Sequence, residues 1–160
     1  MATTIINLSS LDGSNGFRLD GAAASGFSGE AVSGAGDVNG DGFADVIVGA
    51  SGSSYVVFGK ASGFDATLNL SSLDGSNGFR LDGEEHDRSG VSVSNAGDVN
   101  GDGFDDLIVG ARAANPNGYG SGSGSGSGYV VFGQASGFSA AMDLSSLNHY
   151  CPVNFHTNDI

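Results

Sequence analysis

Tryptophan is absent from this chain, and cysteine, proline and basic residues are scarce. The 160 residues include one cysteine, two prolines and five lysines and arginines. The single cysteine, Cys151, excludes a disulfide within the chain. Eighteen acidic residues give a net charge of −13, which argues against nucleic acid or an anionic membrane as a partner. We expect bound cations to balance part of this charge.

The sequence also lacks long apolar segments. It contains no run of about 18 apolar residues that could cross a bilayer, so we expect no membrane insertion. The first residues, MATTIINLSS, lack the basic and apolar regions of a signal peptide. Hydrophobic residues still make up 39% of the chain, which is enough for a core, and 29 glycines indicate many turns. The length suits one domain or one piece of a larger one.

Internal repeats indicate that the chain consists of two similar units. Three segments occur twice: NLSSLDGSNGFRLDG at 7–21 and 69–83, AGDVNGDGF at 35–43 and 96–104, and YVVFG at 55–59 and 129–133. The wider spacing of the third pair places an insertion at NPNGYGSGSGSGSG (115–128), whose low-complexity part should be a flexible loop. We therefore divide residues 1–147 into two units, about 16–78 and 79–147. The tail, residues 148–160, does not continue the repeat and is expected to be disordered.

Each unit contains short strand candidates separated by glycine-rich turns. The apolar runs at Val46–Val48, Leu107–Val109, Tyr55–Phe58 and Tyr129–Phe132 are continuous, which is typical of strands covered on both faces. Four antiparallel strands per unit with both faces buried fit the blade of a β-propeller. An all-β sandwich is the alternative, but it explains the strands without explaining the repeat.

One acidic loop occurs in each unit, as DVNGDGFAD and DVNGDGFDD. Oxygen-bearing side chains stand at loop positions 1, 3, 5 and 9: Asp37, Asn39, Asp41 and Asp45, and Asp98, Asn100, Asp102 and Asp106. Alternate side chains in a tight turn converge, and Gly42 and Gly103 permit the reversal that brings position 9 round. Oxygen ligands without histidine or cysteine select Ca²⁺ over zinc or copper.

The loop departs from an EF-hand because position 12 is Val48 or Val109, where that motif requires a carboxylate. A strand follows directly, so the pattern predicts a calcium turn between two strands, with two sites per chain. The backbone carbonyl of position 7, Phe43 or Phe104, would complete the ligands. The alternative is that Asp, Asn and Gly only form a good β-turn.

The segments FSGEAVSGAGDVNGDGFADVIVGA and SGVSVSNAGDVNGDGFDDLIVGA closely resemble FG-GAP repeats, the blades of the integrin-α-type propeller. The repeated segment SLDGSNGFRLDG, which we call the repeated spacer, resembles that of bacterial multi-repeat members. The resemblance implies that the loop joins the first two strands of a blade and binds Ca²⁺ through the residues above. It also implies that the segment after each unit supplies the outer strand of the preceding blade. The family's Phe-Gly pair is altered at Phe27-Ser28-Gly29 and is without its aromatic at Arg88-Ser89-Gly90.

Two blades cannot close a propeller, which needs at least four. We therefore expect either a homo-oligomer, three or four chains giving six or eight blades, or flanking blades of a parent protein. The expected function is a calcium-binding module for adhesion or for binding a protein or glycan ligand, outside the cell or at its surface. The alternatives are a purely structural spacer and a non-catalytic accessory part of a larger extracellular enzyme. The sequence offers no catalytic constellation, so we expect no enzyme activity.

Overall fold

The computed structural model describes residues 7–116 and 124–148, and this part of the chain is all-β. The strands are β1 (Arg18–Asp20), β2 (Ala31–Gly36), β3 (Asp45–Ala50), β4 (Ser53–Val57), β5 (Thr67–Asn69), β6 (Gly78–Asp82), β7 (Ser89–Gly97), β8 (Asp106–Ala111), β9 (Ser127–Val131) and β10 (Ala141–Asp143). Short 3₁₀ helices occur at Leu8–Ser10, Leu70–Ser72 and Leu144–Asn148. Within these residues no helix has the length and apolar character needed to cross a membrane. Residues 149–160 and 117–123, for which a disordered tail and a flexible loop are predicted, lie outside the described residues.

The first sheet contains four antiparallel strands in the order β2-β3-β4-β6. Its outer strand, β6, comes from the beginning of the second unit and pairs with β4 so that Tyr55 lies opposite Arg80. The resemblance implied this exchange of an outer strand between consecutive units, and the four-stranded prediction is correct for this sheet. A fifth strand, β10, adds to β6 in parallel, and the sequence did not predict it.

The second sheet has three strands among the described residues, in the order β7-β8-β9, and not the predicted four. No described strand takes the place in the second sheet that β6 takes in the first. The strand β1 lies in the earlier copy of the sequence that forms β6 but pairs in parallel with β5. One edge of β9 therefore has no partner strand within residues 7–116 and 124–148.

The main core lies between the two sheets. Ile47 and Val56 of the first sheet are fully buried there together with Leu107 and Val109 of the second. A smaller core on the other face of the first sheet is closed by residues such as Leu70. The first sheet is thus covered on the face toward the second sheet and over part of its other face, where Val32 is still 69% exposed. The second sheet is covered on one face only, because no described segment packs against its outer side chains.

The repeated segment NLSSLDGSNGFRLDG begins with a short capped helix that positions core residues. The side-chain oxygen of Asn69 accepts hydrogen bonds from the backbone nitrogen and the hydroxyl of Ser71, at 2.9 and 2.7 Å. This capping contact begins the 3₁₀ helix Leu70–Ser72 and directs Leu70 and Leu73 into the smaller core. Asn7 makes the same contact with Ser9 in the first copy.

Candidate metal centre

The two acidic loops connect β2 to β3 and β7 to β8, as predicted, and lie at the same end of their sheets. Gly42 and Gly103 have φ values of +85° and +94°, in the left-handed region that favours glycine. The chain reversal predicted at these glycines is therefore present in both loops. Each loop follows an irregularity in strand register, which bends the strand just before the first aspartate.

In the first loop, hydrogen bonds connect three of the four predicted side chains. The nitrogen of Asp41 donates to Oδ1 of Asp37 and to Oδ1 of Asn39, both at 3.0 Å. The second oxygen of Asp37 accepts from Gly42 N at 2.9 Å, and Oδ1 of Asp41 accepts from Phe43 N at 2.9 Å. The Asn39 amide donates to Oδ2 of Asp41 at 3.0 Å, so these three side chains share one network.

The second loop has the same network at the equivalent positions. The nitrogen of Asp102 donates to Asp98 at 3.0 Å and to Asn100 at 2.9 Å, and the Asn100 amide donates to Asp102 at 2.8 Å. Oδ2 of Asp98 accepts from Gly103 N at 3.0 Å, and Oδ1 of Asp102 accepts from Phe104 N at 3.0 Å. One local sequence thus produces one conformation in two separate sheets.

The fourth predicted side chain in each loop, Asp45 or Asp106, is buried and has a structural role that the sequence did not reveal. The two oxygens of Asp45 accept hydrogen bonds from Val38 N at 2.9 Å and Gly59 N at 2.8 Å. Asp106 does the same with the backbone nitrogens of Val99 and Gly133, at 2.8 and 2.9 Å. Each aspartate therefore ties its loop to the end of the third strand of its sheet.

Burial raises the pKa of Asp45 from its usual value to about 6. The hydrogen bonds from Gly59 and Val38 lower this pKa, and the nearby charges of Asp41 and Asp37 raise it further. These three carboxylates are thus close enough for their charges to interact. A cation in the loop would favour the ionised form of Asp45, because opposite charge lowers the pKa of a carboxyl group.

The donor chemistry of each loop fits Ca²⁺, since every predicted ligand atom is an oxygen. Across the described residues, no three or more His, Cys, Asp or Glu side chains are arranged as a metal-binding group. The predicted set mixes carboxylates with an asparagine amide oxygen and a backbone carbonyl, and its fourth carboxylate is engaged with the backbone. Calcium binding by these loops therefore stays a prediction.

Sequence reasoning missed a contact between the two loops. Oδ2 of Asp105 accepts a hydrogen bond from Asp37 N at 2.8 Å, and Asp105 N donates to Asp37 O at 3.2 Å. The ring of Phe104 lies directly over Gly40 of the first loop, where a methyl group would overlap it. In the first unit, Ala44 occupies the position of Asp105. This is the single difference between the two loop sequences, and it is the sequence signal that could have indicated the contact.

The opposite end of the strands has a different surface. A depression of about 650 Å³ is lined there by Phe27, Glu30 and Arg88, among others. Phe27 is 71% exposed, and both Phe27 and Arg88 have a positive φ, at +49° and +54°. Non-glycine residues rarely adopt this conformation, and such strain often occurs at functional sites.

The two antiparallel sheets stack on each other, and in each of them an acidic loop connects the first two strands. This arrangement is that of part of a β-propeller. A model of the FG-GAP repeat matches residues 28–64 and 89–131, half of the chain, and includes both acidic loops. The chain belongs to the FG-GAP repeat family. No curated protein matches the chain. Membership implies a propeller-type module with a ligand-binding or structural role, and FG-GAP repeats typically occur in extracellular or surface proteins.

Proposed function

We propose that this chain is a calcium-binding β-propeller module that works in adhesion, by binding a protein or glycan ligand outside the cell or at its surface. The observation that carries the proposal is the duplicated oxygen network of the acidic loops, with the same hydrogen bonds at equivalent positions. Two copies of one set of clustered carboxylates are better explained by cation binding than by turn formation alone, because the carboxylates otherwise repel one another.

The residues that would hold the ion are the ten predicted from the sequence. They are Asp37, Asn39, Asp41, Asp45 and the carbonyl of Phe43 in the first loop, and Asp98, Asn100, Asp102, Asp106 and the carbonyl of Phe104 in the second. A bound Ca²⁺ would supply positive charge that offsets three carboxylates per loop and so adds its binding free energy to folding stability. The loop backbone orients the side chains before the ion arrives, through the bonds from Asp41 N and Asp102 N.

The surface opposite the loops favours a binding role over a spacer role. It has the exposed ring of Phe27, and the sequence that connects β8 to β9 at this end is long, residues 112–126. In the first sheet the equivalent connection, between β3 and β4, consists of residues 51–52 alone. A spacer needs neither an exposed aromatic residue nor a long loop at one end of its sheets. We propose that the module contacts its ligand here and is itself non-catalytic.

Thermal unfolding with and without calcium tests the metal proposal. We expect millimolar Ca²⁺ to raise the melting temperature by about 5 °C or more over a chelated sample, because two sites each add binding free energy. The double variant Asp41→Ala/Asp102→Ala should lose most of this rise. The control Asp65→Ala removes an exposed carboxylate outside both loops and should retain it. Equal melting temperatures of the wild-type chain in the two buffers would refute calcium binding.

Binding of the labelled chain to a glycan array and to immobilised extracellular matrix proteins tests the ligand surface. We expect a signal that the double variant Phe27→Ala/Arg88→Ala reduces at least tenfold and that Asp65→Ala leaves unchanged. A signal unaffected by the double variant would place the ligand elsewhere. Absence of any signal on both panels would favour the structural role.

A further inference from the structure

Residues at equivalent positions of the two sheets differ sharply in exposure. Ile47 and Val56 are fully buried against the second sheet, whereas their counterparts in the second unit, Ile108 and Val130, are 41% and 38% exposed. Phe132 is 53% exposed, and its counterpart Phe58 is 5% exposed. The second unit thus has the same apolar surface as the first, but no described residue covers it. We call Ile108, Val130 and Phe132 the open face.

An apolar groove of about 410 Å³ lies on the first sheet, on the side away from the second. Its lining includes Phe17, Leu19, Val32, Val46 and Val48. We call these five residues the groove.

The second unit shows what fills such a groove. The counterparts of its lining residues are Phe79, Leu81, Val93, Leu107 and Val109, and all five belong to or pack against the main core, next to Ile47 and Val56. In the second unit, the surface equivalent to the groove is thus one half of an interface whose other half includes Ile47 and Val56. In this chain the matching residues are Ile108 and Val130, on the open face.

The strand edges give a second, independent indication. The sequence GFRLDG occurs at 16–21 and at 78–83, and the later copy forms β6 on the edge of β4. The earlier copy contains β1, which pairs only with β5 among the described strands. The strand equivalent to β4 is β9, and its outer edge is free within the described residues. The edges of β6 and β4 that pair with each other correspond to one edge of β1 and the outer edge of β9, and neither of these has a partner strand among the described residues.

We propose that copies of this chain join head to tail through the contact that already joins the two units. The open face of one copy covers the groove of the next, and β1 of that second copy adds to the edge of β9. This interface is heterologous, so repetition closes into a ring when the rotation permits. Propellers commonly have four to eight blades, which corresponds to two to four chains of two blades each, and we expect the rings of six or eight blades that three or four chains form. The proposed contact involves neither bound calcium nor the ligand of the module.

The pairing within the chain fixes the register between copies. Ser53 lies opposite Asp82, and the Ser53 hydroxyl donates to the Asp82 carboxylate at 2.9 Å. The equivalent residues across the proposed interface are Ser127 of one copy and Asp20 of the next. Edge pairing of this kind supplies main-chain hydrogen bonds, and the apolar face supplies burial.

One difference makes the proposed contact weaker than the internal one. Within the chain, Asp105 accepts a hydrogen bond from Asp37 N. Between copies, the acceptor position is Ala44 and the donor is Asp98 N, so this bond is missing. The net charge of −13 per chain also opposes association at low ionic strength. We therefore expect assembly to depend on concentration and to increase with salt.

Cysteine cross-linking tests the register. In a Cys151→Ser background, Asp20→Cys with Ser127→Cys should form disulfides between chains, seen as multimers on a non-reducing gel. The matched control, Ser53→Cys with Asp82→Cys, has the same register inside one chain and should stay monomeric. Single-cysteine variants should give dimers at most. Absence of multimers from the first pair, with an intact control disulfide, would overturn the proposed pairing.

Mass measurement by light scattering tests the assembly at 0.15 M salt. We expect a species of three or four times the 15.8 kDa chain mass at about 50 μM. Val130→Glu should shift it at least tenfold toward monomer with an unchanged β-sheet spectrum, and Ser62→Glu, an exposed turn residue, should not. A wild-type monomer would overturn the proposal and assign the cover of the open face to residues of the same chain. An open-ended series of masses would overturn the closed ring.

Ala44→Asp restores the missing acceptor and should tighten association about tenfold, which corresponds to one hydrogen bond to a charged group. Sedimentation at several concentrations measures the change. Unchanged or weaker association would overturn the claim that the contact between copies has the geometry of the internal one.

Discussion

The carboxylate of Asp105 accepts a 2.8 Å hydrogen bond from the backbone nitrogen of Asp37, and so connects the acidic loops of two different sheets. The donor is the first residue of one loop, and the acceptor is the penultimate residue of the other. The loops are therefore not independent turns. Their joint position depends on how the two units stack, and each loop conformation is supported from outside its own sequence.

Replacing Asp105 by alanine should lower the free energy of unfolding by about 1.5–3 kcal/mol, because a partly buried hydrogen bond to a charged acceptor is lost. Equilibrium unfolding in urea at a fixed calcium concentration measures this loss. The control is Asp65→Ala, which removes an exposed carboxylate and should change the free energy by less than about 0.5 kcal/mol. Equal losses in the two variants would show that the bond between the loops contributes nothing.

A pair of glycine substitutions measures the packing of one loop on the other. Gly40 and Gly101 have nearly the same φ, +73° and +77°, so alanine should cost each of them about 1–2 kcal/mol in backbone strain. At Gly40 the new methyl group also overlaps the Phe104 ring, whereas at Gly101 it meets open space in the described structure. In the Val130→Glu background, where no second copy places its Phe43 over Gly101, we therefore expect Gly40→Ala to be the more destabilising of the two in urea unfolding.

The Phe104→Ala background provides the control for that pair. Removing the ring should abolish the excess cost of Gly40→Ala and leave the cost of Gly101→Ala unchanged. If the excess persists without the ring, the steric explanation is wrong.

The sequence predicted much of the fold because the relevant signals are local and occur twice. The acidic loops, their glycine reversals and most strand positions follow from residues within a few positions of each other. The open face could not be predicted in this way. Ile47 and Ile108 occupy equivalent positions in similar strands, yet one is fully buried and the other is 41% exposed, because exposure depends on which unit stacks against each sheet.

The same reason limits the prediction of the site. The sequence identified the oxygen donors by type and spacing, but not which of them the backbone already uses. Asp45 receives its bonds from the start of its own loop and from Gly59 beyond the third strand, and only the assembled sheet brings these together.

Asp45→Ala should be more destabilising than Asp41→Ala in the presence of a chelator. The buried carboxylate of Asp45 accepts from two backbone nitrogens, and its removal leaves both without an acceptor, at a cost of about 2–5 kcal/mol. The cost of burying that carboxylate is also removed, which limits the loss. Asp41 is exposed, so water can replace its contacts. Urea unfolding with chelator present separates this structural role from metal binding, and a larger loss for Asp41→Ala would contradict it.

Two neighbouring serines in β4 should respond to alanine in opposite directions. The hydroxyl of Ser54 is fully buried and has no hydrogen-bond partner among the described residues, whereas Ser53 donates to Asp82 at 2.9 Å. Burying an unpaired hydroxyl is unfavourable, so Ser54→Ala should raise the free energy of unfolding by up to about 1 kcal/mol. Ser53→Ala should lower it by about 0.5–1.5 kcal/mol, because a hydrogen bond is lost. Both variants remove one oxygen from the same strand, so each is the control for the other in thermal and urea unfolding. A loss of stability in Ser54→Ala as large as that in Ser53→Ala would mean that the Ser54 hydroxyl has a partner in solution.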